Sequence, residues 1–314
     1  MFDARRVFVL LASLAIVVGC GASTDDAVDC VGARVVYDAD DRKEPWELGE
    51  VWMHRAESNT IALVERWLTE NVESGAITAG DLRAEPLLGW CADERFADQP
   101  SLASCSGVLL SRDLVLTASH CVSDEDECRN LAYVQAFANA KASPWTGFGP
   151  TDVHVCGRLE WSNSDVGAEG TARDVALVRI EPPVDSFSAP VIRKTPLAVG
   201  EPLVTASYPA GLPLKLDDGG SLRGQVDDYL MADIDAFGGS SGGPVYDRDG
   251  ALTGLLVAGQ PDFVYDTRRE CKRTVSRPTA GCAPSTFERV APIQALLRTL
   301  CDERFEEACA LLSP

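Results

Sequence analysis

The sequence predicts an all-β chain closed by a C-terminal helix. Two observations carry this: short apolar, partly β-branched runs recur between polar or glycine-containing turns, and one helical apolar face stands near the C-terminal end. With 314 residues, 46% of them hydrophobic, the chain is long enough for one large domain or two small ones. Thr60-Ile61-Ala62-Leu63-Val64 is the first strand-like run, although apolar residues from Ile61 to Val72 also recur at helical spacing, so helix competes there. Ala103 to Leu110 and Leu114 to Leu116 read as two strands joined by the polar turn Ser111-Arg112-Asp113. Residues 122 to 170 read as loop-rich. Leu252 to Ala258 is a further strand-like run, preceded by Val245-Tyr246 and Asp247-Arg248-Asp249-Gly250, whose Asp-Gly is a hairpin signal. Ile293, Leu296, Leu297 and Leu300 then fall on one face of a helix.

Composition narrows the setting. A formal charge of −20 argues against nucleic acid as a partner, since phosphate binding needs clustered Lys and Arg. Eleven cysteines are more than a reducing compartment favours and suggest disulfides. Arg5-Arg6 followed by the short apolar run Val7 to Val18 fits a secretory signal and is too short to span a membrane. Val17-Val18-Gly19-Cys20 resembles a bacterial lipobox, which implies a lipidated Cys20 as first mature residue; the alternative is an ordinary signal cleaved near Ala22. Setting Cys20 aside leaves ten cysteines, an even number. Gly21, with no aspartate there, resembles the outer-membrane sorting pattern of Gram-negative lipoproteins. The expected organisation is a signal over 1–19, an acidic tether over 20–57 and a folded domain over 58–314. Trp46, Val51, Trp52 and Met53 leave room for a short packed segment inside the tether, and His54 stands away from any motif.

Three strings carry chemistry. In Ala236-Phe237-Gly238-Gly239-Ser240-Ser241-Gly242-Gly243-Pro244 a serine sits among glycines that can expose backbone N–H groups, as acyl transfer requires. Taken alone it could be a flexible turn. Leu114 to Cys121 ends in Ser119-His120-Cys121, a histidine just after an apolar strand. Asp174 heads the run Val175 to Ile180, so the chain order is His, Asp, Ser. A serine hydroxyl needs a base, an imidazole titrates near neutral pH, and a carboxylate can hold its tautomer. In this order the strings resemble the trypsin/chymotrypsin-like serine peptidases, and G-G-x-S-G-G-P with T-A-S-H-C resembles the bacterial branch near the glutamyl endopeptidases.

The resemblance, covering most of the chain after about residue 58, implies two antiparallel six-stranded β-barrels with the C-terminal helix against them. It implies His120 as base, Asp174 as its orienting acid and Ser241 as nucleophile, with Ser240 as the rival serine. The N–H groups of Gly239 and Ser241 become the oxyanion hole, and Val257, Ala258 and Gly259 pair with an extended substrate. A Cys105–Cys121 disulfide is carried over from the family. Cys271 and Cys282 bracket a basic excursion and read as closing it; Cys301–Cys309 is a further pairing, and Cys30–Cys91 with Cys128–Cys156 follows by elimination. Asp235, six residues before Ser241, stands where trypsin-like enzymes carry the aspartate that binds Arg or Lys; Phe237 replaces their framing cysteine, and Leu256 replaces the histidine of glutamate-specific relatives. Ser240 stands where zymogens carry an activating aspartate and no I-V-G-G string precedes the first strand, so activity is expected without an activating cut.

The expected partners are a protein or peptide substrate and, through Cys20, a membrane; a monomer without cofactor is expected, and His154 before Cys156 lacks a second cluster at zinc spacing. The rival class is a lipid-anchored binding protein on a decayed peptidase fold, against which all three candidate catalytic residues are present. A chaperone-protease would need a peptide-binding domain, and only about 55 residues follow Gly259.

Overall fold

The computed structural model describes residues 36–149, 151–163, 174–259, 262–274 and 276–313. The signal, Cys20 and Cys30 lie outside these residues. Six strands form a closed antiparallel barrel: β1 (Thr60–Glu65), β2 (Ala103–Leu109), β3 (Leu114–Thr117), β4 (Leu131–Val134), β5 (Val153–Asn163) and β6 (Val175–Glu181), in the order β1-β2-β3-β6-β5-β4. A second, eight-stranded sheet curls beside it. Its strands are β7 (Leu203–Ser207), β8 (Lys215–Asp217), β9 (Leu222–Val226), β10 (Tyr229–Ala232), β11 (Pro244–Asp247), β12 (Leu252–Ala258) and β13 (Glu288–Pro292), in the order β9-β10-β13-β12-β11-β7-β8, with Arg42–Lys43 added beyond β8. This is the chymotrypsin-like fold that the sequence predicts, with one correction: among the described residues the second half is an eight-stranded sheet that does not close, where a second six-stranded barrel was expected, because Arg42–Lys43 extends its edge beyond β8.

The strands are apolar on both faces for a geometric reason. Successive side chains of a strand point to opposite sides, and here both sides are covered. Ile61, Leu63, Val115, Ala176 and Val178 fill the interior of the first barrel. Their neighbours Ala62, Val64, Leu116, Val175 and Leu177 join Val204, Ala206, Tyr246 and Leu255 of the second sheet in the largest core cluster. Burial of each large aliphatic side chain stabilises by about 1.5–3 kcal/mol, so this shared cluster holds the two barrels, and the cleft between them, in register. Ile293, Leu296, Leu297 and Leu300 of the helix Ile293–Asp302 pack into the same cluster. A second short helix, Glu306–Leu312, folds back and is joined to the first by Cys301–Cys309.

Several expectations need revision. The strand and helix readings for residues 61–72 are both realised: β1 runs into the helix Arg66–Glu73. The stretch 122–170 supplies two barrel strands, β4 and β5, besides the helix Glu125–Asn130. Polar residues outnumber apolar ones along the outer half of β5, which hid it from pattern reading. Residues 20–57 are not a tether from Val36 onward. Arg42–Lys43 pairs antiparallel with Asp217 and Leu216, Val36 and Tyr37 are buried, and the helix Glu50–Asn59 sets Trp52 on Tyr246 with ring centroids 5.9 Å apart. Buried Lys215 binds Glu44 at 3.1 Å, and removal from water pulls its ammonium pKa down to about 8.

The disulfides Cys105–Cys121, Cys128–Cys156 and Cys301–Cys309 are present. Cys271 does not close a loop with Cys282, and Cys91 does not pair with Cys30: Cys91 and Cys271 bond to each other. The reason is local backbone pairing, since Cys91 N–H donates to Lys272 O at 2.9 Å and Lys272 N–H to Gly89 O at 2.7 Å, bringing the two Cα atoms to 5.0 Å. Cys282 is also disulfide-bonded.

Candidate active site

The end of β3 turns sharply, with Cys121 N–H donating to Ala118 O at 3.1 Å and Val122 N–H to Ser119 O at 3.1 Å. That turn puts His120 on the surface of the first barrel, and Cys105–Cys121 ties it to β2. Asp174, at the head of β6, adopts φ 56°, a left-handed conformation that costs a non-glycine residue about 1–3 kcal/mol. The conformation brings its carboxylate under the histidine. Oδ2 lies 2.7 Å from His120 Nδ1, while Oδ1 accepts from His120 N–H and from Ser119 Oγ, both at 2.9 Å. Burial pushes the Asp174 carboxyl up, but these hydrogen bonds from His120 and Ser119 outweigh it and hold the pKa below the ordinary carboxylate value. Asp174 is therefore an ionised acceptor at neutral pH, and it fixes the proton of a neutral imidazole on Nδ1, leaving Nε2 as the basic nitrogen.

Ser241 comes from the loop before β11, and each carbonyl around it is anchored. Ala210 N–H donates to Gly238 O at 2.6 Å, Ser106 Oγ to Gly239 O at 2.7 Å and Ser106 N–H to Ser241 O at 2.8 Å. With the carbonyls held away, the N–H groups of Gly239 and Ser241 have no protein acceptor among the described residues, whereas Ser240 N–H is used by Phe237 O at 2.8 Å. Two glycines are obligatory here. Gly239 has φ 96° and a Cβ there would lie 2.5 Å from Tyr208 O; Gly242 has φ 83° and its Cβ would lie 2.1 Å from Ser106 O. Ser240 turns inward and is fully buried; its Oγ accepts from Ser207 Oγ at 3.0 Å and from Phe237 N–H at 3.3 Å. It is a brace for the loop, not a group offered to the cleft.

His120, Ser241, Gly238, Gly239 and the Cys105–Cys121 bridge line one cleft of about 510 Å³ between the barrels. Ser241 also lines a second recess of about 240 Å³, enclosed by Ala236, Phe237 and Gly238 on one side and Leu256, Ala258 and Gly259 on the other, with Asp262 and Glu288. Of the expected substrate-pairing residues, Ala258 and Gly259 line this recess, while the Val257 side chain is in the core.

Asp235 does not line it. Its carboxylate points away, toward the N-terminal segment, where Oδ1 accepts from Tyr37 N–H and Oδ2 from Asp41 N–H, both at 2.8 Å. Its own N–H donates to Asp217 Oδ2 at 2.7 Å. Burial raises the pKa of both carboxyls, with repulsion from Asp217 adding at Asp235 and repulsion from Asp41 and Asp218 adding at Asp217. The buried amide of Tyr37 and the half-buried amide of Asp41 need acceptors, and Asp235 supplies them. Sequence reasoning missed Glu288 and Asp262 because they lie on other segments, with no spacing to Ser241 that marks them.

The ligand atoms of Cys105, His120 and Cys121 lie within 4.8 Å of one another, but both sulfurs are spent in a disulfide and offer no thiolate to a metal. His154 is a buried residue of β5 whose Nδ1 lies 2.7 Å from Pro182 O, beside a second disulfide at Cys156.

Residues 105–255 match the family described as trypsin-like peptidase domain. No curated protein matches the chain in sequence. Among solved structures, a Glu endopeptidase in complex with MPD is similar over 86% of this chain and 99% of its own, at 14% identity and TM-score 0.50. The inactive form of the Rv3671c protease matches 63% of this chain and 83% of its own, at 18% identity and TM-score 0.38. The fold is that of the chymotrypsin-like peptidases, the stretch from 105 to 255 is similar to the trypsin-like peptidase domain, and together they support a peptidase.

Proposed function

We propose that the protein is a serine endopeptidase in which Ser241 attacks the scissile carbonyl, His120 is the general base and Asp174 orients it. One observation carries the reading. Two N–H groups without protein acceptors among the described residues, those of Gly239 and Ser241, flank a serine in the cleft that the Asp174-held imidazole also lines. The Ser241 Oγ proton passes to His120 Nε2 as Oγ bonds to the carbonyl carbon, and the oxygen, now anionic, accepts from Gly239 and Ser241 N–H. Collapse expels the amine, which takes the proton back from His120. Water then repeats the sequence on the acyl-serine, releasing the acid and free Ser241.

Activity without an activating cut belongs to this reading. The loop is braced by the Ser240 hydroxyl and by Ser106, in place of an ion pair to a liberated N-terminus. The purified chain, begun at Gly21, is expected to react with a fluorophosphonate at once and without a lag, with the adduct mapped to Ser241 by mass spectrometry. Labelling that is absent, or that appears only after cleavage before Thr60, would sink it.

We further propose that the enzyme is secreted and lipid-anchored through Cys20. Support comes from the lipobox-like string and from disulfides that need an oxidising compartment. Replacement Cys20→Ser is expected to move the protein from the detergent phase to the aqueous phase in a phase-partition assay. Equal partitioning of the two forms would refute the anchor.

A further inference from the structure

The loop that offers the Gly239 and Ser241 amides is gripped from outside by the segment from Val36 to Lys43. Asp235, at the head of the loop, accepts from Tyr37 and Asp41 N–H, both at 2.8 Å. Phe237 then closes the turn with its backbone: its N–H donates to Ser240 Oγ at 3.3 Å, and its carbonyl accepts from Ser240 N–H at 2.8 Å. Gly238 and Gly239 lie between these two residues and Ser241 follows them, so a shift of Phe237 moves both amides of the candidate oxyanion hole. The Phe237 ring is buried, shares an apolar cluster with Val36 and meets Phe263 at a centroid distance of 5.5 Å. Over it, 3.9 Å from the ring centroid, lies the guanidinium of Arg42.

Arg42 is only 2% exposed. Its Nε donates to Asp40 Oδ1 at 2.9 Å and its Nη2 to Asp40 Oδ2 at 2.7 Å, a two-pronged pair that fixes the plane of the guanidinium. Asp40 is held in turn by Arg95, whose Nη1 lies 3.1 Å from Oδ1 and donates to the Asp40 carbonyl at 2.7 Å. The remaining nitrogen of Arg42, Nη1, is buried and has no hydrogen-bond acceptor among the described residues, so the aromatic faces of Phe237 and, at 5.4 Å, Phe96 are what the charge has left to meet. Burying an ion pair costs more than burying an aliphatic side chain of similar size. What the costlier group adds is direction, because a planar cation oriented by Asp40 holds the ring beneath it in one place.

Resting on the peptidase reading above, we infer that Arg42 is a positioning residue for the oxyanion hole: through the Phe237 ring it keeps the Gly239 and Ser241 amides aimed into the cleft. The segment from Val36 to Lys43 is then part of the working enzyme. Arg42 lines neither the cleft nor the recess beside Ser241, so it touches no substrate. Its loss is felt in the transition state, where the amides bind the oxyanion, and not in substrate affinity.

The test compares the wild type with Arg42→Ala, Arg42→Lys and Asp40→Asn. It measures kcat and KM on a fluorogenic peptide copied from a site that the wild type cuts in casein, and the saturating rate of fluorophosphonate labelling. In labelling, Ser241 Oγ bonds to phosphorus, its proton passes to His120 and fluoride leaves, while the phosphonyl oxygen takes the place of the peptide oxyanion. Loss of one oxyanion donor costs about 10²–10³-fold in kcat, so Arg42→Ala, which misplaces the donors without removing them, is expected to lower kcat and the labelling rate by about 10–100-fold. KM is expected to stay within about twofold of the wild type. Arg42→Lys keeps the cation and is expected to recover part of the loss, and Asp40→Asn, which weakens the fork, to fall between the wild type and Arg42→Ala. Urea unfolding establishes that each variant is folded in the assay; should Arg42→Ala fail to fold, Arg42→Lys and Asp40→Asn decide by the same split of kcat from KM. Should casein resist the wild type, the labelling rates decide. Folded variants that label and turn over like the wild type overturn this inference and leave the peptidase reading intact, as does a loss confined to KM. A wild type that neither labels nor cleaves overturns the peptidase reading and the inference with it.

Discussion

Ser241→Ala is expected to lower kcat by about 10⁶-fold, a barrier increase of about 8 kcal/mol, while leaving the thermal midpoint nearly unchanged. The magnitude follows from what remains. Without Oγ the imidazole held by Asp174 has no nucleophile to deprotonate, and only the two amides and substrate binding continue to favour the transition state. The stability expectation follows from position, because Ser241 lies at the junction of two recesses and contributes to the loop through its backbone, with its carbonyl accepting from Ser106 N–H at 2.8 Å. Ser240→Ala makes the contrast. It removes a buried hydroxyl that accepts from Ser207 Oγ and Phe237 N–H, so it is expected to cost about 1–3 kcal/mol of stability and to retain measurable turnover. Single-turnover kinetics on both variants, with unfolding curves, check this. A dead Ser240→Ala beside an active Ser241→Ala would reverse the assignment.

The largest stability effect is expected at Cys91–Cys271. This bridge spans 180 residues, against 8 for Cys301–Cys309. On the chain-entropy scale the long closure restrains the unfolded state by about 5 kcal/mol and the short one by about 2.5 kcal/mol. A domain of ordinary stability, about 5–15 kcal/mol, loses much of its margin with the first and less with the second. Position adds to the difference. Cys271 opens a strand of the hairpin formed by Phe263–Asp266 and Cys271–Thr274, and Phe263 packs between Trp90, at a centroid distance of 5.1 Å, and Phe237 of the Ser241 loop, at 5.5 Å. Replacing both Cys91 and Cys271 by serine is therefore expected to lower stability by several kcal/mol and to loosen the recess lined by Asp262. Urea unfolding of this variant beside the Cys301/Cys309 double serine variant measures it. Equal midpoints in the two would contradict the expectation.

By itself the sequence determined what short-range chemistry can encode. Apolar runs and polar turns marked four of the six strands of the first barrel, the spacing of Ile293, Leu296, Leu297 and Leu300 marked the closing helix, and three strings in the order His, Asp, Ser marked His120, Asp174 and Ser241. Each signal lies within a few residues, where periodicity and turn propensity act directly. Only the tertiary structure decided the matters that depend on long-range pairing. Cys91 found Cys271 because two backbone segments pair between them, not because of any spacing of cysteines. The segment from Val36 to Lys43 reads as solvated and acidic, yet it adds a strand beside β8 and supplies amides that hold Asp235 away from the recess beside Ser241. Glu288 reaches that recess from β13 because β12 and β13 are neighbours in the sheet, with Leu256 opposite Val290. A carboxylate's role here is set by which face of the sheet receives it, and that is fixed by strand order and register, which no local pattern records.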